Sequence, residues 1–154
     1  MQRITNCILN YNGSLLMLQK PSRGWYVAPG GKMEVTESIK QSVTREFKEE
    51  TGLVLQDPQL RGAFTVIIEE QGKVVDEWMM FTFYCEEFSG QLLEHSEEGK
   101  LEWVPMNAYS DLPMAPGDYH IFDHILESNQ LIYGTFTYTE DFTLISIDLD
   151  PPRP

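Results

Sequence analysis

Residues 37–51, "ESIKQSVTREFKEET", constrain the fold more than any other stretch, because they carry helical periodicity between segments that alternate like strands. Apolar Ile39, Val43 and Phe47 recur at four-residue steps, Thr36 is placed to cap the start, and Gly52 is placed to stop the helix. A helix of about four turns is predicted. At about 100° per residue its apolar stripe also takes in Glu46 and Glu50, four apart, while Glu49 follows Glu46 by three. Like charges at that spacing repel, and the C-terminal end of the helix dipole disfavours each anion by about 0.3–1 kcal/mol. A solvated acidic face would set the carboxylates opposite the stripe and among lysines, but only Lys48 is available. Carboxylates gathered against both penalties point instead to hard divalent cations that take oxygen ligands, Mg²⁺ or Mn²⁺.

Around this helix the chain reads mostly as strands. "RITNCILNYNGSLLMLQK" gives two runs joined at Asn12-Gly13, a hairpin signal, and "PSRGWYVAPGG" gives a loop. After the helix, "GAFTVIIEE" and "VVDEWMMFTFYCEEF" turn around Gln71-Gly72. A polar loop from Ser89 to Lys100 then leads into the short strand "LEWVP". "GDYHIFDHILES" is a second helix, and "LIYGTFTYTEDFTLISIDL" closes the chain with two strands. Hairpins and helices mix without βαβ alternation, so the expected class is α+β, a mixed sheet with helices packed on it. With 154 residues and 42% apolar content the chain is long enough for one cored domain, placed at 1–150, before a proline-rich stub at 151–154.

The net charge of −13 argues against a long nucleic acid as partner, since its phosphates demand a basic footprint. If the ligand is a phosphate, cations must mediate. No run approaches the roughly 18 apolar residues of a membrane span, and the N-terminus lacks a signal-peptide pattern, so no membrane partner and a cytoplasmic location are expected. Cys7 and Cys85 lie in apolar strand-like runs without metal or redox spacing and read as reduced core residues. His120 and His124 stand four apart on the second helix but lack a third ligand, which makes them plain helix surface. Lys20, Arg23 and Lys32 flank the glycine turn: either one of them contacts a substrate phosphate or all are solubilising. Trp25 and Tyr26 either stack on a base or pack at the junction of loop and core.

Gly31, five residues, Glu37, seven residues, then Arg45-Glu46-Phe47-Lys48-Glu49-Glu50-Thr51-Gly52-Leu53 resembles the signature of the Nudix hydrolases, with seven identities and two apolar positions. At roughly 6% usage per residue type, seven fixed matches arise by chance on the order of once in 10⁸ to 10⁹ starting positions, so the resemblance is specific. Phe47 departs from the family's aliphatic preference, and Val35-Thr36 from the glycine that many members carry before the glutamate. The resemblance implies an α/β/α sandwich with a central mixed sheet. It implies Glu46, Glu49, Glu50 and the carbonyl of Gly30 as metal ligands, Arg45 orienting a carboxylate, and Glu37 as the counterweight to Arg45.

The implied cofactor is Mg²⁺, with Mn²⁺ as substitute, and the implied chemistry is attack of water on a phosphorus of a small nucleotide substrate by a monomer or homodimer. "EHSEEGKLEWVP" is similar to the segment where 8-oxo-dGTP hydrolases of the family place a further carboxylate, which puts it at Glu98, with Glu97 and Glu94 as neighbours. "MAPGDYHIFDHIL" is similar to the segment where mammalian-type enzymes read the oxidised purine with a tryptophan and two aspartates. Asp118 keeps the second aspartate, while Ala115 and Gly117 replace the other two residues. Ile68 and Glu69 stand where ADP-ribose hydrolases carry a proline, and no tyrosine occurs at 69–71 where dinucleoside polyphosphate hydrolases carry one. These features imply hydrolysis of a nucleoside triphosphate such as 8-oxo-dGTP to the monophosphate and pyrophosphate. The alternatives are another nucleoside diphosphate derivative, or a catalytically silent nucleotide-binding domain, although silent members lose a glutamate or arginine that this chain keeps.

Overall fold

The computed structural model describes residues 1–153, so Pro154 of the predicted stub lies outside the described residues. Two β-turn dipeptides set the frame. Asn12 and Gly13 (φ 51° and 83°) join β1 (Gln2–Tyr11) to β2 (Ser14–Gln19), as the sequence predicts. Gln71 and Gly72 (φ 53° and 78°) likewise join two long strands numbered below. Both φ values at each turn lie in the left-handed region that a two-residue hairpin needs.

Between the first hairpin and the central helix the chain forms two short strands, β3 (Tyr26–Val27) and β4 (Gly30–Lys32), where the sequence reads as loop. Helix α1 spans Ile39–Thr51 and ends at Gly52, left-handed at φ 83°. Its cap corrects the sequence reading: Ser38, not Thr36, is the N-cap, with the Ser38 hydroxyl accepting from the Gln41 amide and the Gln41 side chain accepting from the Ser38 amide. This reciprocal pair satisfies two otherwise orphaned amides, which Thr36 cannot do from two residues upstream. Thr36 instead takes φ 78° in the preceding turn.

Next come β5 (Leu53–Gln56), β6 (Gln59–Glu70), β7 (Lys73–Cys85), β8 (Glu87–Gly90) and β9 (Lys100–Pro105). Helix α2 (Pro116–Glu127), β10 (Ile132–Thr139) and β11 (Leu144–Asp150) complete the described residues. The main sheet runs β11-β10-β6-β7-β1-β2-β3, with β4 also paired to β1 and β9 to β2, while β5 and β8 form a separate pair. It is mixed: β1 runs parallel to β7 and β10 parallel to β6, whereas the other pairs are antiparallel.

Each face of the sheet carries one helix. On one face Val43 and Phe47 of α1, both fully enclosed, pack on Cys7, Leu9, Leu16 and Phe83. On the other, Ile121, Phe122 and Ile125 of α2 pack on Ile8, Met17, Phe64 and Phe136. Burying each such side chain contributes about 1.5–3 kcal/mol. Strand β1 divides the two layers. Cys7 and Leu9 face α1, as does Thr5, whose hydroxyl bonds Ser42 of α1 at 2.8 Å. Ile8 faces the α2 layer. Cys7 and Cys85 are free thiols in the core. His124 is buried, not surface: its Nε2 lies 2.8 Å from the Gln130 carbonyl, which ties the end of α2 to the following loop. No helix among the described residues is long and apolar enough to cross a membrane.

Candidate active site

The two glycines that precede α1 in sequence lie beneath its carboxylates, for separate steric reasons. A Cβ at Gly30 would sit 2.0 Å from the Thr5 carbonyl of β1, so only glycine lets β4 pair there. A Cβ at Gly31 would sit 2.2 Å from Glu46 Oε2, so the missing side chain makes room for a carboxylate. Glu46 and Glu50 thereby open onto a cavity of about 590 Å³, shared with Gly30, Gly31, Lys20 and Glu98.

Glu50 is buried, and its Oε2 has no hydrogen-bond partner. Burial pushes its carboxyl up to about 7, against the pull of Lys20 and the Gly30 backbone and with the push of Glu98 and Glu46. An isolated carboxylate in such a place is destabilising unless a cation is present to meet it. Arg45 organises the neighbours. Its Nε and one terminal nitrogen donate to both oxygens of Glu37 at 2.6 and 2.8 Å, and the other terminal nitrogen donates to Glu46 Oε1 at 2.8 Å and Glu49 Oε2 at 3.2 Å. The bidentate Arg45 contact holds the Glu37 carboxyl down to about 2. Arg45 thus ties Glu46 and Glu49 to Glu37, and of these Glu46 lines the cavity while Glu49 does not.

Of the loop carboxylates, Glu98 lines the cavity, and its Oε2 stands 3.5 Å from Lys20 Nζ. Glu94 and Glu97 are exposed and do not line it. The loop is held to α1, since the Leu93 amide donates to the Thr51 carbonyl at 2.8 Å. Lys32 lines the cavity and accepts from Arg45 through its carbonyl. Arg23, Trp25 and Tyr26 do not line it. The Arg23 guanidinium sits 4.9 Å from the Trp25 ring centre and 5.1 Å from that of Phe142, and the Tyr26 hydroxyl reaches Glu102 at 3.5 Å.

At the other end, Asp118 enters from the first turn of α2, where burial alone pushes its carboxyl up to about 7. Ile4, Val27, Ala28 and Met80 make that end apolar. Asn6 and Gln2 of β1 also line the cavity, and the sequence reading did not single them out. Asn6 carried a usable signal, as an amide between Ile4 and Ile8 on alternating positions that a sheet buries.

The donors suit a hard divalent cation. Glu46, Glu50 and Glu98 present carboxylate oxygens to one space, and Glu50 Oε2 is buried without a partner. Among the described residues no three carboxylate, histidine or cysteine side chains are already gathered as a closed metal cluster, and Arg45 holds Glu46 and Glu49 to itself.

A carboxylate helix set over a glycine turn, beside a cavity with apolar lining, has the donors that hydrolysis of a phosphoric anhydride with a divalent cation calls for. The NUDIX domain family matches residues 1–125, and the chain belongs to it. YvcI of Bacillus subtilis (strain 168), known as an uncharacterized Nudix hydrolase, is 54% identical over 151 residues, which cover 98% of this chain and 96% of that protein. The crystal structure of the mutator MutT protein from Bacillus halodurans superimposes with a TM-score of 0.97 at 53% identity, covering 99% of this chain and all of that one. The 8-oxo-dGDP phosphatase NUDT18 of Danio rerio is 35% identical over 94 residues, 58% of this chain but 26% of that protein. The fold is thus the α/β/α sandwich that the signature implies, and the chain is a pyrophosphohydrolase acting on a nucleotide derivative; hydrolases of this family generally need a divalent metal.

Proposed function

We propose that this chain, as a single domain over residues 1–150, hydrolyses a nucleoside triphosphate, an oxidised purine such as 8-oxo-dGTP, to the monophosphate and pyrophosphate with Mg²⁺. One observation carries this reading: a single cavity of about 590 Å³ joins an acidic mouth at Glu46, Glu50 and Glu98 to an apolar end holding Asp118. That volume lies in the range of small-ligand sites, and the polarity divides as a nucleotide does, with phosphates at the acids through a cation and a base in the apolar end.

Glu46, Glu50 and the Gly30 carbonyl would hold the cation, with Glu49 joining once Arg45 releases it. When bound, the cation neutralises charge on the phosphates and sharpens the attacking water. Glu98 takes the proton of that water as a new P–O bond forms and the bridging P–O bond breaks, and pyrophosphate leaves. The Glu98 carboxylate is exposed and lines the cavity, so it can come within hydrogen-bonding reach of an attacking water. Lys20, paired with Glu98 at 3.5 Å, is placed to exchange that partner for a substrate phosphate. Arg45 keeps the Glu46 carboxylate in its place over Gly31.

A panel of nucleotides with Mg²⁺ and separate detection of pyrophosphate and orthophosphate tests the reading. The expected result is a kcat/KM for 8-oxo-dGTP at least about tenfold above that for dGTP, with pyrophosphate as co-product. Preferential hydrolysis of ADP-ribose or of a nucleoside diphosphate would replace it.

A further inference from the structure

Strand β1 places Asn6 where its alternation calls for an apolar side chain. Ile4 lines the cavity and Ile8 belongs to the core on the α2 face, and Asn6 stands between them. Its carbonyl oxygen is buried with no partner, and its amide nitrogen has only Met80 Sδ at 3.7 Å. An amide in this condition forgoes about 1–3 kcal/mol relative to a satisfied one, and where it also lines an open cavity a ligand can complete it. Asp118, half-buried and entering the same cavity from α2, makes no side-chain hydrogen bond among the described residues. Two polar groups, one from the sheet and one from a helix, therefore line the cavity without a strong protein partner, and the Asn6 carbonyl oxygen is also shut off from solvent.

We propose that Asn6 is the specificity-determining residue of this enzyme, reading one polar edge of a purine base while Asp118 reads another. An asparagine amide offers one donor beside one acceptor, which matches the paired edge of a purine. Two readers from separate walls need a base with polar edges on both of its rings, which a pyrimidine lacks. The inference rests on the nucleotide hydrolase reading above. It goes beyond that reading in assigning base choice to a strand residue outside the signature helix and its loops.

Asn10 supplies an internal control. It lies four residues along the same strand, its carbonyl oxygen is also buried without a partner, and its amide bonds the Tyr84 hydroxyl at 3.2 Å away from the cavity. The experiment measures kcat/KM for purine and pyrimidine nucleoside triphosphates in wild type, Asn6→Leu and Asn10→Leu, with melting temperatures in EDTA. In Asn6→Leu the purine-to-pyrimidine ratio should fall about tenfold or more, chiefly through KM for purines, while the melting temperature holds or rises because an unpartnered amide is replaced by an apolar chain. Asn10→Leu should keep the wild-type ratio. If Asn6→Leu does not fold, Asn6→Thr provides the same ratio with a smaller change. A wild type without purine preference, an unchanged ratio at position 6, or equal shifts at positions 6 and 10 would overturn the assignment. A wild type that hydrolyses no nucleotide at all would instead bring down the functional reading beneath it.

Discussion

The two ends of the cavity are built in opposite ways. At the acidic end Arg45 alone makes five hydrogen bonds, to Glu37 twice, Glu46, Glu49 and the Lys32 carbonyl, and Glu46 occupies the space that Gly31 leaves open. At the apolar end Asp118 and Asn6 stand among Ile4, Val27 and Met80, and neither finds a strong partner. The difference teaches where tolerance lies. A densely bonded end performs a chemistry that demands fixed geometry, whereas an end with unspent hydrogen bonds waits for a ligand to define it.

The largest test of that contrast is Glu50→Gln. It keeps the shape and removes a buried, unpartnered charge, so hydrolysis should fall by about a hundredfold or more while melting in EDTA stays level or rises. Glu49→Gln should cost less, because Glu49 is outside the cavity lining and reaches a cation only once Arg45 releases it; equal losses would mean that this release is complete when metal binds. Next is Glu98→Gln, expected to lower kcat by roughly tenfold to a hundredfold with a smaller rise in KM, the mark of a contact made in the transition state. Glu97→Gln and Glu94→Gln should be near wild type. Inactivity of the Glu97 variant would move the base by one residue.

A smaller effect probes the apolar end through pH. With its carboxyl pushed up to about 7 in the native state, Asp118 binds its proton more tightly there than in the unfolded chain, where it titrates near about 4. Between those values the native state holds more protons, so the stability that Asp118 contributes is present below about pH 4 and is lost as pH rises through 7. Denaturation in EDTA should show Asp118→Asn gaining on wild type across that window, by about 1–3 kcal/mol. Parallel curves would mean that the half-buried Asp118 carboxyl is hydrated well enough to titrate near its ordinary value.

The smallest concerns the turn before α1. Thr36 holds φ 78°, a conformation that strains a β-branched residue and that glycine adopts freely. Thr36→Gly should raise stability by about 1 kcal/mol, or roughly 2–4 °C in Tm, with kcat unchanged. A fall in Tm would mean that the turn is set by contacts of the threonine side chain.

The acidic end was the more legible in sequence for the same reason that it is rigid. Local chemistry at fixed spacing, Gly31 through Gly52, fixes its geometry, and both hairpin turns announce themselves as Asn-Gly and Gln-Gly pairs. The true N-cap was readable too, since Ser38 is followed three residues on by Gln41, but Thr36 drew the reading away from it. Strands β3 and β4 had no local signal: two residues in one case and a glycine pair in the other acquire extended structure only by pairing with β2 and β1. The burial of His124 was in principle legible, because it extends the Gly117, Ile121, Ile125 face of α2. Asn6 left one trace, a polar residue in an apolar alternation between Ile4 and Ile8, but that trace alone does not show a cavity, which is assembled from segments as distant as Asp118, more than a hundred residues later.

The alternation of β1 has a consequence for how such an enzyme can change over generations. Thr5 and Cys7 pack against α1, while Ile4 and Asn6 line the cavity, and the two sets interleave in one backbone without sharing a side chain. Substitutions at positions 4 and 6 can change which ligand the cavity accepts while the carboxylate helix is inherited intact. A deletion of one residue in this strand, by contrast, would swap the two sets at a stroke and leave neither heritable.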